Sequence, residues 1–162
     1  NVQKVYQQTS MSQEFEPAEN FAVKSSGLLT LPIQPEKGAY ILSDVEKPSL
    51  ILIATGSEVS LVLDAQAKLK EVGIAARVVS MPSWELFEKQ DAAYKEKVFP
   101  SSLRKRLAVE AGAVLGWHKY VTDEGDVLGM TTFGESAPAP DLMKFFGFTV
   151  DNVVKRAKQL LS

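Results

Sequence analysis

The sequence predicts an α/β domain with a mainly parallel sheet and helices on both of its faces. Strand-like apolar runs alternate with helical patterns along most of the chain, which is typical of a parallel sheet. The run at residues 50–54 is apolar throughout, as expected of a strand buried on both faces. The 162 residues, 45% of them hydrophobic, suffice for one domain with a substantial core.

The chain divides into two unequal parts. Residues 1–30 are polar, contain scattered aromatic residues and show no sustained periodicity, which predicts a weakly ordered segment. We interpret this segment as a linker or as residues of artificial origin. The predicted domain spans residues 31–162.

Five core strands and several helices follow in order. The helices are predicted at residues 57–72, after Ser83, after Asp91, within 116–120, from Pro140 and after Thr149, with glycines ending two of them. Residues 111–113 are small and predict a tight turn. The strands are predicted at residues 39–42, 50–54, 74–81, 106–110 and 126–130.

Composition excludes several classes of protein. The net charge of -2 gives no electrostatic basis for binding nucleic acid or an anionic membrane. The sequence has no cysteine, which excludes disulfides and thiolate chemistry and fits the cytoplasm, where we expect the protein. No apolar run approaches the roughly 18 residues of a membrane span, and no signal peptide is recognisable.

The turn after the first fully apolar strand is the first candidate ligand or interface site. It comprises Thr55, Gly56, Ser57 and Glu58. Thr55 and Glu58 have the spacing of a capping box, and Gly56 permits a sharp turn. Ligands of parallel α/β sheets bind at such strand ends. However, no phosphate-binding glycine motif is present, and the carboxylate of Glu58 opposes an anion.

Three further features are weighed as candidates. Glu110 ends an apolar strand and could face a cleft, although we expect it to cap a turn or pair across an interface. His118, the one histidine, is interpreted as a surface or packing residue. The loop after the last strand is the second candidate ligand or interface site, without the G-x-S-x-G pattern of a hydrolase. Its residues are Phe133, Gly134, Glu135 and Ser136.

An ordered set of short stretches resembles one family. Residues 37–42 (KGAYIL), 53–59 (IATGSEV), 76–83 (ARVVSMPS) and 130–139 (MTTFGESAPA) are similar to the C-terminal domain of transketolase. Further matches at residues 109–112 and 146–154 follow in the same order as in that family. The resemblance extends from about residue 38 to residue 162.

The resemblance implies both a fold and a function. Transketolases transfer a two-carbon ketol unit between sugar phosphates, with thiamine diphosphate and a divalent metal, usually Mg²⁺, and they are homodimers of three-domain subunits. The family's third domain is an α/β/α sandwich with a mixed, mainly parallel five-stranded sheet, one edge strand of which is antiparallel. It supplies no thiamine or metal ligand. We therefore assign no catalytic, cofactor-binding or metal-binding residue and expect the isolated chain to be inactive, with contacts to other domains or to a second subunit as its role.

The junction before the domain departs from the family pattern. Family members carry an arginine here that helps to hold the substrate phosphate, whereas residues 27–32 read GLLTLP. The first arginine in the chain is Arg77. We therefore assign no substrate-binding residue to this chain.

Two alternatives stay open. The chain could be the homologous domain of another thiamine diphosphate enzyme, although residues 80–83 and 132–138 favour transketolase. It could instead be a regulatory or dimerisation module that binds a nucleotide-like ligand at the strand ends, which the turn at residues 55–58 supports.

Overall fold

A six-stranded mixed sheet organises the molecule. The computed structural model describes residues 29–30 and 33–162. Within them the strands lie in the order β1-β2-β4-β3-β5-β6. Their bounds are β1 Leu29–Thr30, β2 Tyr40–Asp44, β3 Leu50–Ala54, β4 Ala76–Ser80, β5 Arg106–Ala113 and β6 Asp126–Met130.

The predicted mixed, mainly parallel sheet of five strands is confirmed. β4, β3, β5 and β6 are parallel, and β2 runs antiparallel to β4. The two-residue β1 adds a short antiparallel pairing to the outer edge of β2. Apart from β1, the segment predicted at residues 1–30 lies outside the described residues.

Helices cover both faces of the sheet. α1 and α6 pack on one face, whereas α2, α3 and α4 pack on the other. Among the described residues, no helix is long and apolar enough to cross a membrane. The helices are α1 Glu58–Glu71, α2 Trp84–Glu88, α3 Ala92–Val98, α4 His118–Val121, α5 Ala139–Phe145 and α6 Val150–Leu161.

The central strand β3 explains why two cores form. All five of its side chains have zero exposure, and successive side chains point to opposite faces. Leu50 and Leu52 pack against α1 and α6, and Ile51 and Ile53 pack beneath α2 to α4. The continuous apolar run therefore reflects burial on both faces, as the sequence predicted.

Three predicted caps are confirmed. The side chains of Ser83, Asp91 and Thr149 accept hydrogen bonds from the backbone N–H of Leu86, Tyr94 and Asn152, at 3.2, 2.7 and 3.3 Å. Each bond satisfies a helix-terminal donor that has no partner within its helix.

The capping box predicted at Thr55 and Glu58 is wrong. The residue that precedes α1 is Ser57, and the donor of Glu58 is satisfied by the backbone oxygen of Thr55 at 3.2 Å. Because Gly56 adopts a φ of 55°, the chain turns tightly and the helix begins later than the capping box requires. Glu58 is then the first helical residue and stands too early to reach back to a cap at Thr55.

The tight turn predicted at residues 111–113 is also wrong. These residues extend β5, whose register against β6 shifts between Val109 and Ala113. Gly129 of β6 suits this irregular pairing because a Cβ there would lie 3.1 Å from the backbone oxygen of Gly112.

Candidate functional site

A cavity lies where the connections leaving the sheet diverge. The connection after β3 carries α1 on one face, whereas the connection after β4 carries α2 and α3 on the other and enters β5 on the far side of β3. This is a topological switch point, the usual ligand position of an open α/β sheet. The strand-end cavity measures about 310 Å³ and is lined by Thr55, Met81, Pro82, Ser83, Trp84, Glu85, Glu110, Gly112, Ala113 and Trp117.

Two indole rings form one wall of the strand-end cavity. Trp84 and Trp117 meet edge to face, with ring centroids 5.1 Å apart. Trp84 also packs against Tyr120, with ring centroids 5.6 Å apart. A Cβ on Gly116 would lie only 2.5 Å from the Trp84 ring. The wall is therefore held in place by close packing.

Glu110 provides the least satisfied polar group of the cavity. Its Oε2 is buried and has no hydrogen-bond partner among the described residues. Burial raises the pKa of the Glu110 carboxyl, and the nearby Glu58 carboxylate raises it further. Gly112 leaves room for this side chain, since a Cβ there would lie 3.2 Å from Glu110 Oε1.

The residues of the first candidate site, 55–58, do not all lie at the cavity. Thr55 lines the cavity, whereas Gly56 and Ser57 are exposed and do not line it. Glu58 is only 5% exposed and accepts a 2.8 Å hydrogen bond from the hydroxyl of Ser57. Thr55 and Glu110 are thus brought together, with Glu58 close enough to act electrostatically.

The second candidate site does not join the cavity. Phe133, Gly134, Glu135 and Ser136 are all exposed and none lines it. His118, expected at the surface or in packing, is exposed at the start of α4. Among the described residues no capping bond is formed at Oε2 of Glu110, which lines the cavity, and pairing of Glu110 across an interface stays a prediction.

Sequence reasoning missed most of the cavity wall. Trp84 and Glu85 directly follow the helix cap Ser83 at the end of β4, so an aromatic residue and an acid beside a strand end were a usable signal. The contribution of Trp117 had no such signal, because the residue reaches the cavity from the separate segment after β5.

The cavity does not fit a diphosphate. Its lining includes the carboxylates of Glu85 and Glu110 and, as far as the described residues go, contains no lysine, arginine or histidine. Carboxylates repel a phosphate group that no cation offsets. Among residues 29–30 and 33–162, no group of three or more His, Cys, Asp or Glu side chains is arranged to hold a metal ion.

Comparison with known proteins identifies the family. Residues 38–149 match the family model of the transketolase-like TK C-terminal domain. The chain belongs to this family. The match covers more than half of the chain and confirms the resemblance noted in the sequence.

Curated transketolases are close relatives of this domain. Transketolase 1 of Aliivibrio fischeri is 61% identical over 127 residues, and Transketolase 1 of Vibrio cholerae is 58% identical over the same length. The match covers 78% of this chain and 19% of each relative. The transketolase C-terminal domain described here therefore spans about a fifth of the length of these relatives.

A solved structure confirms the fold. Transketolase from Leishmania mexicana superposes with a TM-score of 0.73 and 42% sequence identity, covering 78% of this chain and 18% of that one.

Proposed function

We propose that this chain is an accessory C-terminal part of a transketolase, an enzyme that transfers a two-carbon ketol unit between sugar phosphates. The observation that carries the proposal is the 61% identity to a transketolase of which the chain spans only 19%. These relatives favour transketolase over another thiamine diphosphate enzyme. The reaction belongs to the pentose phosphate pathway, and the complete enzyme is a cytoplasmic homodimer.

The chemistry is assigned to parts of the enzyme outside this chain. Thiamine diphosphate and Mg²⁺ would be bound there, since the acidic strand-end cavity does not suit a diphosphate. The same lining argues against a regulatory module that binds a nucleotide. The isolated chain would consequently have no transferase activity.

The role of the domain is contact with other domains or with a second subunit. Leu115 follows β5 and Phe133 follows β6, so both lie beyond the carboxyl ends of neighbouring parallel strands. Their exposures are 84% and 95%. Large apolar side chains exposed beyond the ends of neighbouring strands favour an interaction surface at this end of the sheet. Phe133, Gly134, Glu135 and Ser136 are proposed as part of this contact surface.

A chimera tests the assignment. The matched 127 residues of this chain would replace the corresponding part of Transketolase 1 from Aliivibrio fischeri. We expect the chimera to transfer ketol units and the isolated chain to show no turnover. Turnover by the isolated chain, or a soluble but inactive chimera, would contradict the proposal. The relative without its C-terminal part is the control that shows whether this region is needed.

Two substitutions in the chimera test the contact role. Phe133→Ser removes an apolar group from the proposed contact surface and should weaken subunit association at least about tenfold, as removal of an interface aromatic commonly does. Val72→Ser is the matched control. Val72 is also an exposed apolar residue, at 53%, but it follows α1 and precedes β4, so it lies near the amino-terminal ends of the strands. Equal association of the two variants, measured by sedimentation, would exclude this role for Phe133.

A further inference from the structure

The strand-end cavity has the charge and shape to bind a basic side chain. We infer that, in the complete enzyme, it receives an arginine or lysine side chain from a part of the polypeptide outside this chain. The inference rests on the proposed function and deepens it, because it names one point of the contact surface and the chemistry of the partner group.

The unsatisfied carboxylate is the first argument. Glu110 Oε2 is buried without a hydrogen-bond partner among the described residues. A buried carboxylate oxygen without a donor is costly, and a charge-assisted hydrogen bond from a guanidinium or ammonium group would satisfy it. Glu110 lines the strand-end cavity, so a donor bound there would lie beside the Glu110 side chain.

The distribution of charge is the second argument. Glu110 and Glu85 line the cavity, and the nearby Glu58 carboxylate acts electrostatically on Glu110. Within the described part of the chain, the lining contains no basic residue that could neutralise them. Two carboxylates that line one cavity attract a cation, and a cation bound beside Glu110 would offset its repulsion by Glu58.

The aromatic wall is the third argument. The indole of Trp84 is fixed by its contacts with Trp117 and Tyr120. A cation placed over an indole face gains a cation–π interaction, and a planar guanidinium can also stack on the ring. A cavity with both a carboxylate and a fixed indole therefore binds the cationic side chain of arginine better than an uncharged side chain.

The position of the cavity indicates where the cation comes from. Gly112 and Ala113 line the cavity, and the exposed Leu115 follows two residues later. One wall of the cavity is thus close in sequence to Leu115, which belongs to the surface proposed to contact other domains. About four fifths of the length of the relatives lies outside this chain, so a partner surface for this edge is available within the same enzyme.

Binding of a model side chain to the isolated chain is the first test. N-acetyl-arginine amide is compared with N-acetyl-citrulline amide, which has nearly the same shape without the charge. The indole N–H signals of Trp84 and Trp117 report binding by NMR. We expect saturation by the arginine probe in the millimolar range and at least about tenfold weaker binding of citrulline.

Two variants locate the site. Glu110→Gln should remove the preference for the charged probe, and Glu46→Gln, at an exposed glutamate on the β2–β3 connection, should leave it unchanged. Equal binding of the two probes to the unaltered chain, or no binding of either, would overturn the inference.

The chimera distinguishes an enzyme-supplied side chain from a free ligand. In an active chimera the cavity should already be filled, so the arginine probe should bind at least about tenfold more weakly than to the isolated chain. Undiminished binding would show an open small-molecule site and would overturn the inference while the proposed function stands. A soluble but inactive chimera would instead overturn the proposed function, and the inference with it.

Discussion

Tyr120 donates a 2.9 Å hydrogen bond from its buried hydroxyl to Glu88 Oε1, which ties α4 to α2. Glu88 also pairs with Lys119 at 2.8 Å and with Lys95 of α3 at 3.1 Å. One carboxylate therefore joins the three short helices that cover this face of the sheet. None of them is long enough to be stable alone, so their contacts with one another and with the sheet are what hold them in place.

Glu88 should make stability depend on pH in the acid range. The hydrogen bond from Lys119, followed by those from Lys95 and Tyr120, lowers the pKa of Glu88 to about 2 from its usual 4.5. A lowered folded-state pKa stabilises the protein fully above pH 4.5, and this contribution is lost as the pH falls toward 2. Because the side chain is 36% exposed, we expect a contribution of at most about 1 kcal/mol.

Urea unfolding at several pH values between 6 and 2.5 measures this contribution. Glu88→Gln should lower the free energy of unfolding at pH 6 and flatten its decline below pH 4.5. Glu46→Gln provides a control at an exposed carboxylate. A Glu88→Gln curve parallel to that of the unaltered chain would rule out the predicted linkage.

Arg106 should be essential for joining the helices to β5. The guanidinium is 7% exposed and donates hydrogen bonds to the backbone oxygens of Leu103, Tyr120, Phe99 and Pro100. Arg106→Met would leave several of these oxygens without a donor, and we expect a loss of roughly 2–4 kcal/mol by denaturant unfolding.

The neighbouring Arg104 gives a matched control for that experiment. It is half-exposed and pairs with Asp123 and Glu124 at the surface. Arg104→Met should cost less than about 1 kcal/mol, because solvent screens exposed ion pairs. Equal losses in the two variants would contradict the role assigned to Arg106.

The order of the elements could be predicted from sequence because each element carries a local signal. The apolar run at residues 50–54 predicts a doubly buried strand, and Thr149 precedes an amphipathic helix with its capping side chain. The effect of Glu58 on Glu110 has no local signal. It requires β3 and β5 to be neighbours, although β4 and three helices intervene in the sequence.

Substituting Gly38 and Gly73 by alanine separates the cost of backbone strain from the cost of a steric clash of the new methyl group. Both have positive φ angles, 82° and 77°. A Cβ on Gly38 would collide with the backbone of Phe87 and Ser83, whereas a Cβ on Gly73 would meet none of the described residues within 4 Å. Gly73→Ala should cost about 1–2 kcal/mol from backbone strain alone.

Gly38→Ala should cost roughly 1–3 kcal/mol more than Gly73→Ala, because α2 must shift to accept the methyl group. Thermal and denaturant unfolding of both variants would measure the difference. Equal costs would mean that the start of α2 yields freely where it contacts Gly38.

Glu110→Gln should stabilise the isolated chain at neutral pH. Burial first, and the Glu58 carboxylate second, raise the pKa of Glu110. An acid with a raised folded-state pKa destabilises the fold as the pH rises through that value, and this cost is absent below its usual pKa of 4.5. We expect a gain in the free energy of unfolding at pH 7.5 and almost none at pH 4.

Unfolding at both pH values, with Glu46→Gln as the control, measures the gain for Glu110→Gln. A loss of stability at pH 7.5 would show that the carboxylate makes a favourable contact in the isolated chain. That result would also contradict the first argument for binding of a basic side chain, which is that the Glu110 carboxylate lacks a hydrogen-bond partner.

Thr55 and Thr149 should differ in what their hydroxyls contribute to the following helices. Both precede a helix, but only the Thr149 hydroxyl accepts from a helix N–H, that of Asn152 at 3.3 Å. Thr149→Ala should therefore cost about 1 kcal/mol. Thr55→Ala should cost less than about 0.5 kcal/mol, since the donor of Glu58 is satisfied by the backbone of residue 55, which the substitution retains. A cost near 1 kcal/mol for Thr55→Ala, measured by urea unfolding, would contradict this and would indicate that the Thr55 hydroxyl caps α1 after all.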